Sequence, residues 1–256
     1  MKRCGAMMLL WIVLSLGAAA QEVPCHLRVG WEPYAPYTFA DDDSQVTGAD
    51  IDIIESVAES IGCSLEFVEL PWARILRQIQ TGALDVSTST SKTSERMEWA
   101  WFSKPYRETE MAIYVRKGEA SNYRLKSLAD IPGQRFRLGT IVDYFYGGDI
   151  ARLFADPAFS TWIDGAPDYR TNIVKLVNRR IDGYLVEDVT VMEAELEGLG
   201  FSDQVERFPL HVPGEKLHFM FSKKGVDSLI VEQVDAELAN MRADGRLQTI
   251  FDRYGI

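Results

Sequence analysis

Between Leu27 and Tyr106, short apolar stretches alternate with segments of helical spacing, and this rhythm restricts the fold more than any other feature of the chain. Leu27-Arg28-Val29-Gly30 reads as a strand. Thr47-Gly48-Ala49-Asp50 opens a helix that carries Ile51, Ile54, Val57 and Ile61 on one face and closes at Gly62. Cys63-Ser64-Leu65-Glu66-Phe67 reads as the next strand, and Arg74 to Ile79 has helical apolar spacing that ends at Gly82. Leu84-Asp85-Val86 is then a brief buried strand, followed by a polar run from Ser87 to Thr93. Strands and helices alternating at these lengths build an open α/β sheet, whose ligands bind beyond the carboxyl ends of the strands. The 256 residues suffice for one large domain or for two lobes of ordinary size.

Composition narrows the function. The chain is 46% hydrophobic and 25% charged, the balance of a globular protein, and its formal charge is −11. That charge excludes ordinary nucleic-acid binding, where a basic surface supplies most of the affinity. The N-terminus has the layout of a cleaved export signal over residues 1–20. Lys2 and Arg3 are basic, Met7 to Leu16 are apolar, and Ala18-Ala19-Ala20 precedes Gln21. The apolar run is too short to span a bilayer. Cleavage would remove two basic residues and no acidic ones, taking the charge to −13 and leaving the rest of the chain exported.

Removing Cys4 with that signal leaves Cys25 and Cys63, a pair in an oxidising compartment. Each precedes a strand at the same offset, so a disulfide suits a parallel βαβ unit; two buried free thiols are the alternative. The loop it closes would be worth roughly 3–4 kcal/mol.

Candidate site residues cluster at the strand ends. Trp31, Tyr34 and Tyr37 lie in the Pro- and aromatic-rich loop after the first strand, placed to wall a ligand or merely to pack the loop. Trp72 begins the next helix beside the same cleft, and Arg74 there could bind a carboxylate or form a surface ion pair. Thr93-Ser94-Glu95-Arg96 is a helix-capping pattern. Free N–H groups at a helix start, serine hydroxyls and one guanidinium make a cradle for a carboxylate. Against this, a Ser/Thr run with one arginine is also the composition of a solvated loop.

Gly82, Asp85, Thr93 and Arg96, followed by Phe102-Ser103-x-Pro105-Tyr106, resemble the most recognisable segment of the family 3 extracellular solute-binding proteins, the polar amino-acid receptors of bacterial ABC importers. Other family-like stretches cover nearly all of the exported chain. Gly48-Ala49-Asp50-Ile51-Asp52 resembles the family's G-F-D-x-D, with Ala49 in place of Phe; Ser127 to Gly133 resembles the start of its second lobe; Ala243-Asp244-Gly245-Arg246-Leu247 through Tyr254 resembles its closing helix. The resemblance extends to the ligand-binding domains of ionotropic glutamate receptors.

The resemblance implies a two-lobed periplasmic-binding-protein fold (type II), each lobe an open, mostly parallel sheet flanked by helices, joined by a two-strand hinge. Lobe 1 would comprise residues 21–115 and 218–256, and lobe 2 residues 116–217. It implies that Arg96 pairs with a ligand carboxylate, helped by the Ser91 N–H and the Ser89 hydroxyl, and that an acid at a strand end of the second lobe accepts the ligand's ammonium. Counting from Asp182 puts Glu187 there, with Asp188 capping the helix that begins at Val189. Tyr34 is the nearest match to the family's ligand-facing aromatic. Where the family's second-lobe turn carries Gly and Thr, this chain has Val142-Asp143-Tyr144; an acid there disfavours a nearby carboxylate and suits a cation. Tyr144 is the aromatic of that turn.

The expected protein is therefore a monomeric periplasmic receptor that delivers an amino acid or similar small polar solute to a membrane ABC permease. It has no expected cofactor. His26, His211 and His218 are scattered, and no metal-ligand spacing occurs. Ser89-Thr90-Ser91-Lys92 matches S-x-x-K without the partner motifs of penicillin-recognising enzymes. Two other classes compete: a secreted dehydratase of the cyclohexadienyl dehydratase type on the same fold, and a ligand-binding sensory subunit.

Overall fold

The structure is a computed structural model that describes residues 25–256; the expected export signal lies outside the described residues. The chain begins with β1 (Cys25–Trp31), a short ribbon of β2 (Phe39–Ala40) and β3 (Val46–Thr47), α1 (Ala49–Ser60), β4 (Cys63–Glu69), α2 (Trp72–Thr81), β5 (Val86–Ser91), α3 (Ser94–Trp99), β6 (Ala100–Phe102) and β7 (Arg107–Glu108). A second set follows: β8 (Ala112–Arg116), α4 (Ile131–Gln134), β9 (Leu138–Ile141), α5 (Gly148–Phe154), α6 (Pro157–Ser160), β10 (Ile163–Ala166), α7 (Tyr169–Val177), β11 (Gly183–Val186), α8 (Val189–Leu199) and β12 (Val205–Arg207). The chain then returns through β13 (Lys216–Ser222) to α9 (Ser228–Asp244) and α10 (Arg246–Arg253).

Two sheets result, one in each lobe. The first has the order β4-β1-β5-β13-β6, with β7 also on β13; the second has the order β10-β9-β11-β8-β12. In the first, β4, β1 and β5 run parallel while β13 is antiparallel to β5, β6 and β7. In the second, β10, β9 and β11 run parallel while β8 is antiparallel to β11 and β12. Both sheets are therefore mixed, because the strands next to the crossings enter from the opposite direction to the βαβ strands. The chain changes sheet between Glu108 and Ala112 and again between Arg207 and Lys216, so the sequence boundary at 115/116 falls inside β8 and that at 217/218 inside β13. The crossing segments lie against each other: Thr109 N–H donates to the Glu215 carbonyl at 2.9 Å, and Met111 bridges Val212. A side chain at Gly214 would sit 1.8 Å from the Thr109 carbonyl oxygen, so only glycine permits this approach.

Local chemistry explains the elements around the cleft. Helix α1 buries Ile51, Ile53, Ile54 and Val57, each worth roughly 1.5–3 kcal/mol by burial alone. Helix α2 ends where Gly82 takes the left-handed conformation (φ 82°), as its position predicted. Cys25 and Cys63 lie opposite each other in the β1–β4 register, with Cα atoms 4.5 Å apart, and form a disulfide.

The polar run corrects the sequence expectation. Ser87 to Ser91 form the interior of β5, a central strand, and not a loop. Two of its hydroxyls pair inside the sheet: Ser87 Oγ and Thr90 Oγ1 are 2.9 Å apart, and Thr90 Oγ1 donates to the Thr88 carbonyl at 2.8 Å. The β5–β13 register shifts between His218 and Met220, and Ser89 there has φ 51°. Thr88 and Ser89 thus oppose Phe219 alone, a bulge that re-aims the end of the strand toward the cleft.

Candidate functional site

The carboxyl ends of β1, β5 and β11 converge on a cavity of about 40 Å³ between the sheets. Trp31, Glu32, Tyr34, Trp72, Ser89, Ser91 and Arg96 line it from the first lobe; Tyr144, Phe145 and Glu187 line it from the second.

Arg96 sits in the first turn of α3, which Thr93 caps by accepting from the Arg96 N–H at 3.1 Å. The cap turns the guanidinium back into the cavity, where Nη1 donates to the Ser91 carbonyl at 2.9 Å and Nη2 to the Asp143 carbonyl at 3.1 Å. Its carbon lies 5.3 Å from the centre of the Trp72 ring. No carboxylate of the described residues forms an ion pair with it. Burial without such a partner holds its pKa below the usual arginine value.

Glu187 follows β11 and faces the same cavity at 7% exposure. Burial, then the neighbouring Asp188 charge, push its pKa up to about 8, while Arg107 and Arg96 pull it down. It forms no ion pair within the described residues. Asp188 caps α8, accepting from the Thr190 N–H at 3.0 Å, as its position predicted.

Other residues take places the sequence did not indicate. Asp143 turns its carboxylate to solvent and contributes its backbone instead: at φ 64° its carbonyl accepts from both Arg96 and Trp72 Nε1, the latter at 3.0 Å. The left-handed turn points the peptide inward and the side chain outward, although the Asp143 charge still acts on Arg96 from there. The Ser89 hydroxyl is also turned away from Arg96. The bulge aims it at Asp50, to which it donates, and it accepts from Arg107 Nη2 at 2.9 Å. The Ser91 hydroxyl and the Tyr34 hydroxyl are both buried at the cavity wall without a partner among the described residues. Tyr34 packs its ring on Tyr37 and Tyr169, which joins the apolar interiors of the two lobes. Tyr37 instead lies over Arg107, 3.4 Å from the guanidinium carbon, and Arg74 is exposed.

The sequence reading missed Glu32. Its Oε2 accepts from the Trp72 N–H at 2.9 Å, at the start of α2, and its Oε1 accepts from the Tyr144 hydroxyl at 2.7 Å. Burial pushes its pKa up to about 7 against these two hydrogen bonds. The signal was present: an acid inside an aromatic loop at a strand's carboxyl end. The cavity thus offers one guanidinium, two carboxylates with raised pKa and aromatic walls, a set suited to a small ligand with both an anionic and a cationic group.

Comparison with known proteins agrees with this layout. Residues 27–256 match the family described as bacterial extracellular solute-binding proteins, family 3. The probable amino-acid-binding protein YxeM of Bacillus subtilis (strain 168) is 27% identical over 244 residues, covering 94% of this chain and 83% of its own. A solved structure of an ancestral arginine-binding protein bound to arginine superposes with a TM-score of 0.76 at 26% identity, over 90% of this chain and 98% of that one. The cyclohexadienyl dehydratase of Pseudomonas aeruginosa is 30% identical over 102 residues, only 39% of this chain and 38% of its own. With the family match running through both lobes, the chain belongs to the bacterial extracellular solute-binding proteins of family 3.

Proposed function

We propose that this protein is a periplasmic receptor that closes on an α-amino acid or a similar small zwitterion and presents it to a membrane ABC permease. One observation carries this reading: a basic Arg96 and an acidic Glu187 face a single cavity from opposite lobes, and neither has an ion-pair partner among the described residues. A carboxylate on Arg96 and an ammonium on Glu187 would satisfy both. A ligand held from both sides binds the closed form better than the open one and so shifts the hinge equilibrium. Lobes meeting at the paired crossing segments 109–111 and 212–215 would hinge there. The amino-acid binding named for YxeM and the arginine bound by the ancestral arginine-binding protein support this class of ligand. Glu32 supports a ligand whose side chain is polar or cationic.

The test is a thermal-shift screen of protein that has been unfolded and refolded to strip bound ligand, against amino acids, polyamines and aromatic-acid precursors. A ligand raises the midpoint because it binds only the folded state. A rise with one class of α-amino acid is expected; silence across all of them would overturn the reading.

A dehydratase is the second reading, favoured by the partial likeness to the Pseudomonas enzyme and by a buried Glu187 that keeps its proton near neutral pH, as a general acid must. Steady release of product from prephenate or arogenate would establish it; saturable binding without product would exclude it.

A further inference from the structure

Behind the cavity, away from its wall, lies a buried polar cluster centred on Arg107. This residue stands at the end of the first lobe, in β7, immediately before the chain crosses. Its side chain is 5% exposed. Nε lies 3.3 Å from Asp50 Oδ1, Nη2 donates to the Ser89 hydroxyl at 2.9 Å, and Nη1 donates to Asp188 Oδ2 at 2.9 Å. The Tyr37 ring covers its face. Asp50 in turn accepts from the Tyr106 hydroxyl at 2.6 Å.

Three of these partners belong to the first lobe: Asp50 opens α1, Ser89 is the bulge of β5, and Tyr106 precedes β7. Asp188 belongs to the second, where it caps α8 and directly follows Glu187. One planar guanidinium therefore touches, with separate nitrogens, the bulge that shapes one side of the cavity and the residue next to the acid on the other. A planar fork can do this because its donors are fixed relative to one another; an ammonium cannot.

We propose that Arg107 is a positioning residue that ties the two lobes in register and holds Glu187 opposite Arg96 through Asp188. Its burial exceeds what a surface ion pair would have, and its place beside the crossing segments means that any hinge rotation must act on the Arg107–Asp188 contact. Nothing in the ligand chemistry requires a second buried cation here, since Arg107 does not line the cavity. The proposal rests on the solute-binding reading for its purpose, but the tie itself exists without ligand.

Two substitutions separate this role from ordinary core stability. Asp188→Asn keeps the cap of α8, for Asn caps helices as well as Asp does, and removes only the charge that Arg107 holds across the lobes. Arg107→Lys keeps the positive charge beside Asp50 but loses the fork. Nitroxide labels at the exposed positions Glu59→Cys, in the first lobe, and Glu197→Cys, in the second, report the distance between lobes in the ligand-free protein. The expected result is one narrow distribution in the parent and a broadened one, with a new long-distance population, in both variants.

Carboxyl NMR of Glu187 gives the second readout. The charges around it are Asp188, Arg107, Arg96 and Glu32. In Arg107→Lys the net charge is unchanged, yet the Glu187 titration should move upward, because the ammonium settles on one carboxylate instead of spanning both. Parent-like distance distributions in both variants, or an unmoved Glu187 titration in Arg107→Lys, would overturn the proposal. Because both readouts are taken without ligand, a failed ligand screen would count against the solute-binding reading and not against the tie.

Discussion

Tyr144 of the second lobe donates its hydroxyl to Glu32 of the first across 2.7 Å, and Glu32 uses its other oxygen to cap the start of α2 at Trp72. One carboxylate thus links a turn, a helix and the opposite lobe. Trp72 closes the circuit by donating Nε1 to Asp143, beside Tyr144, and the two rings meet edge to face at 6.1 Å.

Tyr144→Phe tests that link. It keeps the ring contact and removes the only donor by which Tyr144 reaches Glu32. A hydrogen bond to a charged or partly charged acceptor contributes about 1.5–3 kcal/mol, so ligand affinity should fall about tenfold or more at 1.4 kcal/mol per decade. Titration calorimetry with whichever amino acid gives the largest thermal shift reads this directly. An unchanged affinity would mean that closure does not use the contact.

Arg96→Met tests the anion cradle. The guanidinium is buried against two carbonyls and an indole, with no ion-pair partner among the described residues. Its removal therefore relieves desolvation as well as losing hydrogen bonds, and the ligand-free melting temperature should change little. Binding, in contrast, loses a charge-assisted contact from a desolvated site, a loss of about 2–5 kcal/mol. Near-parent affinity in this variant would remove Arg96 from the site.

The fold was legible because periodicity is local. The face of α1, the closing Gly82, the cap at Thr93 and the Cys25–Cys63 register all follow from spacing within one element or between adjacent ones. A strand was legible at Leu84-Asp85-Val86, but only Val86 of these lies in β5, and its continuation through Ser91 was not, since a hydroxyl run becomes a central strand only when neighbouring strands cover both edges. Within the site, Arg96 and Glu187 stand at strand and helix ends where a resemblance could mark them. The part Asp143 plays was not legible, because it depends on a left-handed φ that exposes the carboxylate and turns the carbonyl inward. Glu32 and Arg107 went unnoticed for a different reason: each is defined by a partner on the other lobe, Tyr144 112 residues away and Asp188 81 residues away.

Reduction of the disulfide should cost stability without abolishing the site. Cys25 and Cys63 are 38 residues apart in sequence, and closing such a loop restricts the unfolded chain by roughly 3–4 kcal/mol. The bond lies at the start of β1 and β4, whereas the cavity is at their far ends. Cys25→Ala/Cys63→Ala should therefore melt several degrees lower while its dissociation constant stays within about twofold of the parent, since well-separated sites behave independently. A large loss of affinity in a folded double variant would show that the first sheet transmits strain to the cleft.

The two cavity acids predict opposite pH trends for stability and for binding. Burial raises Glu187 to about 8 and Glu32 to about 7, both above the ordinary value of 4.5. Between pH 4.5 and these values the folded, ligand-free protein holds protons that the unfolded chain has lost. Their contribution is therefore complete below 4.5 and is lost as pH rises through 7 and 8. The ligand-free melting temperature should accordingly decline from pH 5 to pH 8, and Glu187→Gln should flatten that decline. Binding runs the other way. An ammonium favours ionised Glu187, so below pH 8 the ligand must expel a proton, and affinity should rise with pH by up to about tenfold per unit before levelling off. Calorimetry in two buffers with different ionisation heats would count the released proton at pH 6.5 and find the release falling as pH rises through about 8. Affinity that is flat across this range, with no proton release, would mean that Glu187 does not meet the ligand's cation.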